Sequence, residues 1–330
     1  MSLPTPIHTS ASRVDDRYVD VMARHLGTVV VEALNDPDVT EIYRNPQDGY
    51  LRFDTRSGGR ICMDAVLDAD RCEKFLNAVA ASQGVTLGID IPRIQAELPE
   101  RLFGGGRLQG FVPPASAGPA FNIRKRALVI HTLDDYVEGQ VMTANERTVL
   151  AQAVDAHWNI LIAGGTNTGK TTLANAVLRE ITDRCPEERI VVLEDTAELQ
   201  CAARDHLSLR TSATLSLADL VKATLRASPN RIVVGEVRDR EALDLLDAWA
   251  TGHPGGCGTV HATTALGALD RLDRLAQRAS AHPQRALIAE AVNLVLVIAW
   301  QNGHRRVTEL ARVVGLDPRD RFILDSLTVH

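Results

Sequence analysis

From residue 145 onward this sequence predicts a doubly wound α/β domain, and three observations carry the prediction. Short β-branched runs alternate with helix-sized segments, the order that builds a sheet covered by helices. The runs, at residues 159–163, 189–193, 231–237, 258–262 and 293–300, are continuously apolar rather than alternating, as strands buried on both faces must be. A glycine loop, residues 164–171 (GGTNTGKT), stands between the first run and a helical segment over 170–181. There Leu173, Val177, Leu178 and Ile181 share one side.

The region before this domain is organised differently. The 330 residues exceed one domain of about 150, so a second domain is expected. Residues 1–14 read as a flexible tail, and residues 15–137 as a small α+β domain. Residues 138–145 read as a linker, leaving 146–330 as the α/β domain. An amphipathic helix is expected over 15–34, with Val19, Val21, Met22, Leu26, Val29 and Val30 on its apolar face. Strands follow at 40–44 and 50–54, separated by the turn sequence NPQDG at 45–49. A further helix spans 70–83 with Asp70 as its N-cap. Residues 89–127, dense in Gly and Pro, read as irregular and end in the basic run Arg124-Lys125-Arg126, a solvated strand end. Helical segments near 133–139 and from Thr143 mark the boundary.

Composition excludes some functions. With 45% hydrophobic and 24% charged residues the chain supports an ordinary globular core. Its net charge of −6 gives no electrostatic support to stable nucleic-acid binding. The five cysteines include no CxxC pair, so neither a zinc cluster nor a disulfide framework is indicated, and a reducing compartment is expected. Residues 1–12 lack the apolar core of a signal peptide, and the run at 294–300 falls far short of the roughly 20 residues that span a bilayer. The expected location is the cytoplasm, with peripheral contact to the inner membrane left open.

The glycine loop fits GxxxxGK[ST] in its required strand–loop–helix context. In such a loop the backbone N–H groups turn inward around phosphate oxygens, and the helix N-terminus adds positive partial charge. Gly165, Thr166, Asn167, Thr168, Gly169, Lys170, Thr171 and Thr172 form the expected nucleotide-binding set. Lys170 would bridge the β- and γ-phosphates and the Thr171 hydroxyl would ligate Mg2+. Asn167 stands where the loop requires a left-handed backbone, which Asn tolerates.

A phosphate-transfer site also needs a carboxylate near the metal and the attacking water. Glu194, followed by Asp195, and Glu236 lie at the C-terminal ends of predicted strands, where open α/β sheets bind ligands. Either could instead be a cap or a surface charge. Residues 251–262 (TGHPGGCGTVHA) are so rich in glycine that they read as a nucleotide-sensing switch loop rather than a packing element. His261 would report on the γ-phosphate, and His253 is a second candidate.

Together these residues resemble the secretion-superfamily ATPases, in particular the conjugative-transfer branch of type IV secretion (the TrbB-like proteins). Four elements match in order: the loop at 164–172, the acidic box LEDTAEL at 193–199, the segment LRASPNRIVVGEVR at 225–238, and the histidine box at 251–262. More weakly, residues 107–114 and 122–125 are similar to the family's arginine-supplying stretch. The resemblance implies a RecA-like P-loop ATPase domain preceded by a PAS-like N-terminal domain, with ATP bound between the two. It further implies a homohexameric ring, and inner-membrane components of a secretion apparatus as partners. Lys170, Glu194, Glu236 and His261 would be catalytic, with Thr171, Glu194 and Glu236 around Mg2+. Arg107 and Arg124 would neutralise phosphate charge. The chain departs from the family pattern at Asn230, where Asp is usual, and at Asn167-Thr168, where Gly-Ser is commoner.

The resemblance leaves a pilus-retraction or type II secretion motor as the nearest alternative, although the four-cysteine module usual in the type II branch is missing from the sequence. A nucleic-acid translocase is disfavoured by charge, and a nucleotide-gated scaffold by the intact Lys170, Glu194 and Glu236. The lack of an [NT]KxD motif favours ATP over GTP.

Overall fold

The computed structural model describes residues 11–55, 58–126, 130–212 and 214–327. The chain divides into two compact units, one up to residue 129 and one from residue 130. Of the expected tail, residues 1–10 lie outside the described residues, while the first helix already begins at Ala11.

In the first unit the order is α1 (Ala11–Leu26), α2 (Thr28–Asn35), β1 (Val39–Arg44), β2 (Tyr50–Thr55), β3 (Gly59–Val66), α3 (Ala69–Ser82), β4 (Arg93–Glu97), a broken helical turn α4 (Glu100–Phe103), β5 (Arg107–Phe111) and β6 (Ala120–Arg124). The single helix expected over 15–34 is two helices. Gly27, at φ 85°, breaks it in a conformation that side-chain-bearing residues rarely adopt. Val19, Met22, Leu26 and Val30 enter the core as expected, but Val21 and Val29 are exposed. The cap of α3 is Asp68, which accepts from the Arg71 N–H at 2.8 Å, whereas Asp70 lies in the first turn.

The six strands form one antiparallel sheet in the order β3-β2-β1-β6-β5-β4. Alternate residues of β4, β5 and β6 are buried, the pattern of a sheet with one face on the core. The region expected to be irregular therefore carries three strands. Its glycines concealed them: Gly110 sits inside β5 because a Cβ there would lie 2.5 Å from Leu76 Cδ2. The basic run is a strand end: β6 stops at Arg124, and Arg126 Nη1 donates to Glu100 Oε1 at 2.6 Å.

The second unit runs α5 (Leu133–Glu138), α6 (Ala144–Asp155), β7 (Ile160–Gly164), α7 (Lys170–Arg184), β8 (Ile190–Glu194), β9 (His206–Arg210), α8 (Leu217–Thr224), β10 (Arg231–Val234), α9 (Glu241–Ala250), β11 (Cys257–His261), α10 (Ala265–Ala276), α11 (Arg285–Ala291), β12 (Leu294–Gln301), β13 (His304–Leu316) and β14 (Phe322–Ser326). Leu133 and Tyr136 of α5 sit in this unit's core, which is why the chain divides ahead of α5. The sheet order is β14-β13-β12-β7-β11-β10-β8-β9. The strands from β12 to β9 are parallel, and β13 and β14 add an antiparallel edge.

The continuous apolar strands have a direct cause. Ile160 and Ile162 of β7 join Leu173, Val177 and Ile181 of α7 in one core layer. Leu161 and Ala163 of the same strand join Leu245, Leu269 and Leu272 in the layer on the opposite face. Both residue parities are thus buried, as in a doubly wound sheet. Strands β9, β13 and β14 lack this signal because they lie toward the sheet edges and expose one side.

Candidate functional site

Phosphate chemistry is built into the loop between β7 and α7. Gly164 closes the strand where no side chain fits, since a Cβ would fall 2.5 Å from Thr168 Oγ1 and 2.6 Å from the Ile298 carbonyl oxygen. Asn167 adopts φ 59° and Gly169 φ 98°, the left-handed turns that swing the loop back into α7. Gly169 is the N-cap of this 15-residue helix and offers no side-chain cap, so first-turn N–H groups are left for an anion. Lys170 is buried, with its Nζ donating to the Gly165 carbonyl at 2.8 Å, and Thr168 Oγ1 donates to the same oxygen at 3.0 Å. Thr171 and Thr172 follow in the first turn of α7.

The neighbouring strands bring their ends to this loop. Residues of β11 pair with β7 so that His261 stands opposite Gly164, and His261 Nε2 lies 3.2 Å from Thr166 Oγ1. Partial desolvation of this otherwise exposed side chain and the nearby Lys170 charge hold the His261 imidazole below its ordinary value despite the opposing pull of Glu236. The neutral imidazole is therefore the favoured form near neutral pH.

The two carboxylates sit in contrasting environments. Glu194, ending β8, is buried, and its Oε1 accepts the N–H groups of Glu198 at 2.9 Å and Leu199 at 2.7 Å. Burial pushes its pKa up against those two bonds. Room for it comes from Gly235 on the next strand end, where a Cβ would lie 3.0 Å from Glu194 Cγ. At Glu236 burial also raises the pKa but is outweighed by Arg238, whose Nη2 donates to Oε2 at 2.6 Å, with help from Lys170 and His261. Glu236 is thus held as a carboxylate. Two carboxyl groups whose environments push their pKa values apart are a common feature of sites that move protons.

The structure gathers the loop residues 165–172, Glu194, Glu236 and His261 at the C-terminal ends of parallel strands, where open α/β sheets take ligands. Arg107 and Arg124 belong to the first unit and stand opposite each other in the β5–β6 register, with Arg124 Nε 3.8 Å from Glu41 Oε1.

Two glycines of the histidine box, Gly255 and Gly256, serve a different purpose from the one expected. Cys257 pairs with Ile160, so residues 252–256 lie at the opposite end of β11 from His261. Gly256 packs where a Cβ would fall 2.1 Å from the Ile232 carbonyl and 2.6 Å from Trp249 Nε1, and Gly255 packs against Arg231. These glycines are packing elements. His253 is structural as well, its Nδ1 lying 3.1 Å from the Pro229 carbonyl oxygen. Fully buried Arg231 donates to the Gly255 carbonyl at 2.9 Å and the Val154 carbonyl at 3.1 Å, and pairs with Glu188. Removing one member of such a pair costs roughly 3–5 kcal/mol.

Several contributors escaped the sequence reading. Asn159 is buried ahead of β7; its side chain donates to the Ala291 carbonyl at 2.7 Å and accepts from Gly256 N–H at 2.9 Å. Asn230, the departure from the family pattern, accepts the Arg189 N–H at 2.8 Å, a bond that the usual Asp could equally accept. Arg238 and Gly235 stand inside the matched GEVR segment, which was their available signal. Trp300 and Arg305 gave none: Trp300 Nε1 donates to the Asn167 carbonyl at 3.4 Å, and Arg305 Cζ lies 4.9 Å from the Trp300 ring centre.

Comparison with known proteins places this geometry in a family. The model of the type II/IV secretion system proteins matches residues 106–309. The conjugal transfer protein TrbB of Rhizobium radiobacter is 44% identical over 303 residues, covering 92% of each chain. The type IV secretion system protein PtlH of Bordetella pertussis is 33% identical, covering 84% of this chain and 91% of its own. Among solved structures, the pilus retraction motor PilT with bound ADP superposes with a TM-score of 0.61 at 20% identity, covering 91% of this chain and 82% of PilT, and so shares the fold. The Legionella pneumophila ATPase DotB does so with a TM-score of 0.56 at 18% identity, covering 98% and 82%. This chain belongs to the type II/IV secretion system protein family.

Proposed function

We propose that this protein hydrolyses ATP to ADP and phosphate with Mg2+, as a homohexameric ring that energises a type IV secretion or conjugative DNA-transfer apparatus. The observation that carries the chemistry is the convergence of Lys170, Glu236 and His261 on one glycine loop at the strand ends. The assignment to conjugation rests on the similarity to TrbB.

In this reading the N–H groups of residues 165–171 and the Lys170 ammonium hold the phosphates. Lys170 would exchange the Gly165 carbonyl for phosphate oxygens on binding. Glu236, kept ionised by Arg238, orients the attacking water. Neutral His261 exchanges its contact with Thr166 for one with the γ-phosphate. The Thr171 hydroxyl and the carboxylates of Glu194 and Glu236 are oxygen donors of the kind Mg2+ takes, and the ion would neutralise phosphate charge. Glu194 would bind it ionised, since a nearby cation offsets the effect of burial. Arg107 and Arg124 are proposed to supply further positive charge to the phosphates. The protein is proposed to work in the cytoplasm at the inner membrane; no helix among the described residues is long and apolar enough to cross a membrane.

The test is ATP turnover of purified protein over a range of concentrations, beside Lys170→Ala, with mass measured by light scattering with and without nucleotide. Turnover that rises with assembly into a six-chain species and disappears in the variant is expected. A monomer whose variant retains full activity overturns both the ring and the site. Stimulation by DNA that fades steeply with salt would instead favour a translocase.

A further inference from the structure

The phosphate loop has two flanks, and the assigned chemistry occupies only one. Strands β11, β10 and β8, carrying His261, Glu236 and Glu194 at or just beyond their ends, lie on one side of β7. On the other side lies β12, parallel to β7, with Ile298 opposite Gly164. Two residues further on, still within β12, Trp300 stands at the level of the loop. It is 53% exposed, and its indole N–H donates to the Asn167 carbonyl at 3.4 Å.

The β12–β13 hairpin holds this indole in place. Arg305 pairs with Trp300 directly across the strands, with its guanidinium carbon 4.9 Å from the ring centre. The Arg305 stem also passes over the loop, because a Cβ on Gly169 would lie 3.6 Å from Arg305 Cδ. An exposed large aromatic ring, fixed by a cation on one face and bonded to the phosphate loop at its edge, is a surface for another flat ring. Its N–H is already engaged, so it has no donor left for phosphate. A nucleotide whose terminal phosphate points to Glu236 and His261 carries its base away from that flank.

We propose that Trp300 is the stacking platform for the purine base, and that Arg305 holds the indole in place beside the loop for this purpose. The inference rests on the proposed nucleotide site and adds its base subsite. Stacking reads the π-face of the base and is independent of the phosphates, which predicts a separable contribution to binding.

The test is calorimetric titration with ATP and, separately, with inorganic tripolyphosphate, which has no base, for the native protein, Trp300→Ala, Trp300→Phe, Arg305→Gln and Lys170→Ala. Intrinsic fluorescence is followed in parallel, with Trp158 and Trp249 as the remaining fluorophores. Trp300→Ala is expected to weaken ATP about tenfold while changing tripolyphosphate less than twofold, with Trp300→Phe restoring most of the loss. ATP should quench fluorescence in the native protein and not in Trp300→Phe, and Arg305→Gln should weaken ATP less than Trp300→Ala does. Equal weakening of both ligands by Trp300→Ala, or of neither, overturns the platform and leaves the phosphate site standing. Unchanged affinity for both ligands in Lys170→Ala overturns the phosphate site, and the platform with it.

Discussion

Thr166 Oγ1 and His261 Nε2 lie 3.2 Å apart, which ties a strand-end histidine to the phosphate loop through a single polar contact. The contact follows from sheet register, because His261 and Gly164 are partners across β11 and β7. A side chain two residues into the loop can then reach the imidazole without distortion of either strand. A shift of one residue in that register would turn the imidazole to the opposite face of the sheet.

The depressed His261 pKa has a definite pH consequence. Partial desolvation and Lys170 disfavour the imidazolium in the folded protein, so the unfolded chain binds the proton more readily. Folded-state stability therefore rises as pH rises from the folded pKa to the ordinary imidazole value of about 6.5, and gains nothing further above it. Denaturant unfolding at pH 5 and pH 7.5 should show a larger gain for the native protein than for His261→Gln. An equal gain in both, or an NMR titration midpoint above 6.5, contradicts the assignment.

Arg238 is predicted to set the acid limb of the activity profile. Without its bond to Oε2, burial dominates at Glu236 and the carboxyl pKa rises. In Arg238→Gln the pH below which kcat falls should move upward, with activity recovering at alkaline pH. A profile that drops uniformly without shifting would mean that Arg238 acts elsewhere.

Gly235→Ala should impair catalysis through Glu194. The added methyl meets Glu194 Cγ at 3.0 Å and must displace a side chain held by two backbone N–H groups. Glu194 has to give by a few tenths of an ångström, so the expected cost is roughly 1–3 kcal/mol of stability and a loss of kcat smaller than the about hundredfold that a 1 Å misplacement brings. Full activity in a folded variant would remove Glu194 from the reacting centre.

Gly256→Ala tests the packing role of the histidine-box glycines. Its methyl would meet the Ile232 carbonyl and Trp249 Nε1, and strain toward about 3 kcal/mol corresponds to roughly 6–12 °C in Tm. Residual folded protein should keep its ATP affinity, since this end of β11 lies away from His261. Lost affinity with an unchanged Tm would restore the switch-loop reading.

The sequence by itself determined the parts of this protein that local chemistry encodes. The loop from Gly164 to Thr171 is legible because phosphate binding needs glycine and lysine at fixed offsets on one continuous segment. Strands β7, β8, β10, β11 and β12 are legible because burial on both faces forces an unbroken apolar run. Only tertiary structure decided the rest. Strands β4, β5 and β6 were hidden because Gly110 answers to Leu76, more than thirty residues earlier. The opposite charge tendencies of Glu194 and Glu236 arise because burial prevails over two backbone N–H bonds at Glu194 but is outweighed by Arg238 at Glu236. The positions of His253 and His261 at opposite ends of one strand, and of Trp300 beside the phosphate loop, follow from register and sheet order. Those relations join residues far apart in the chain, and local propensity carries no record of them.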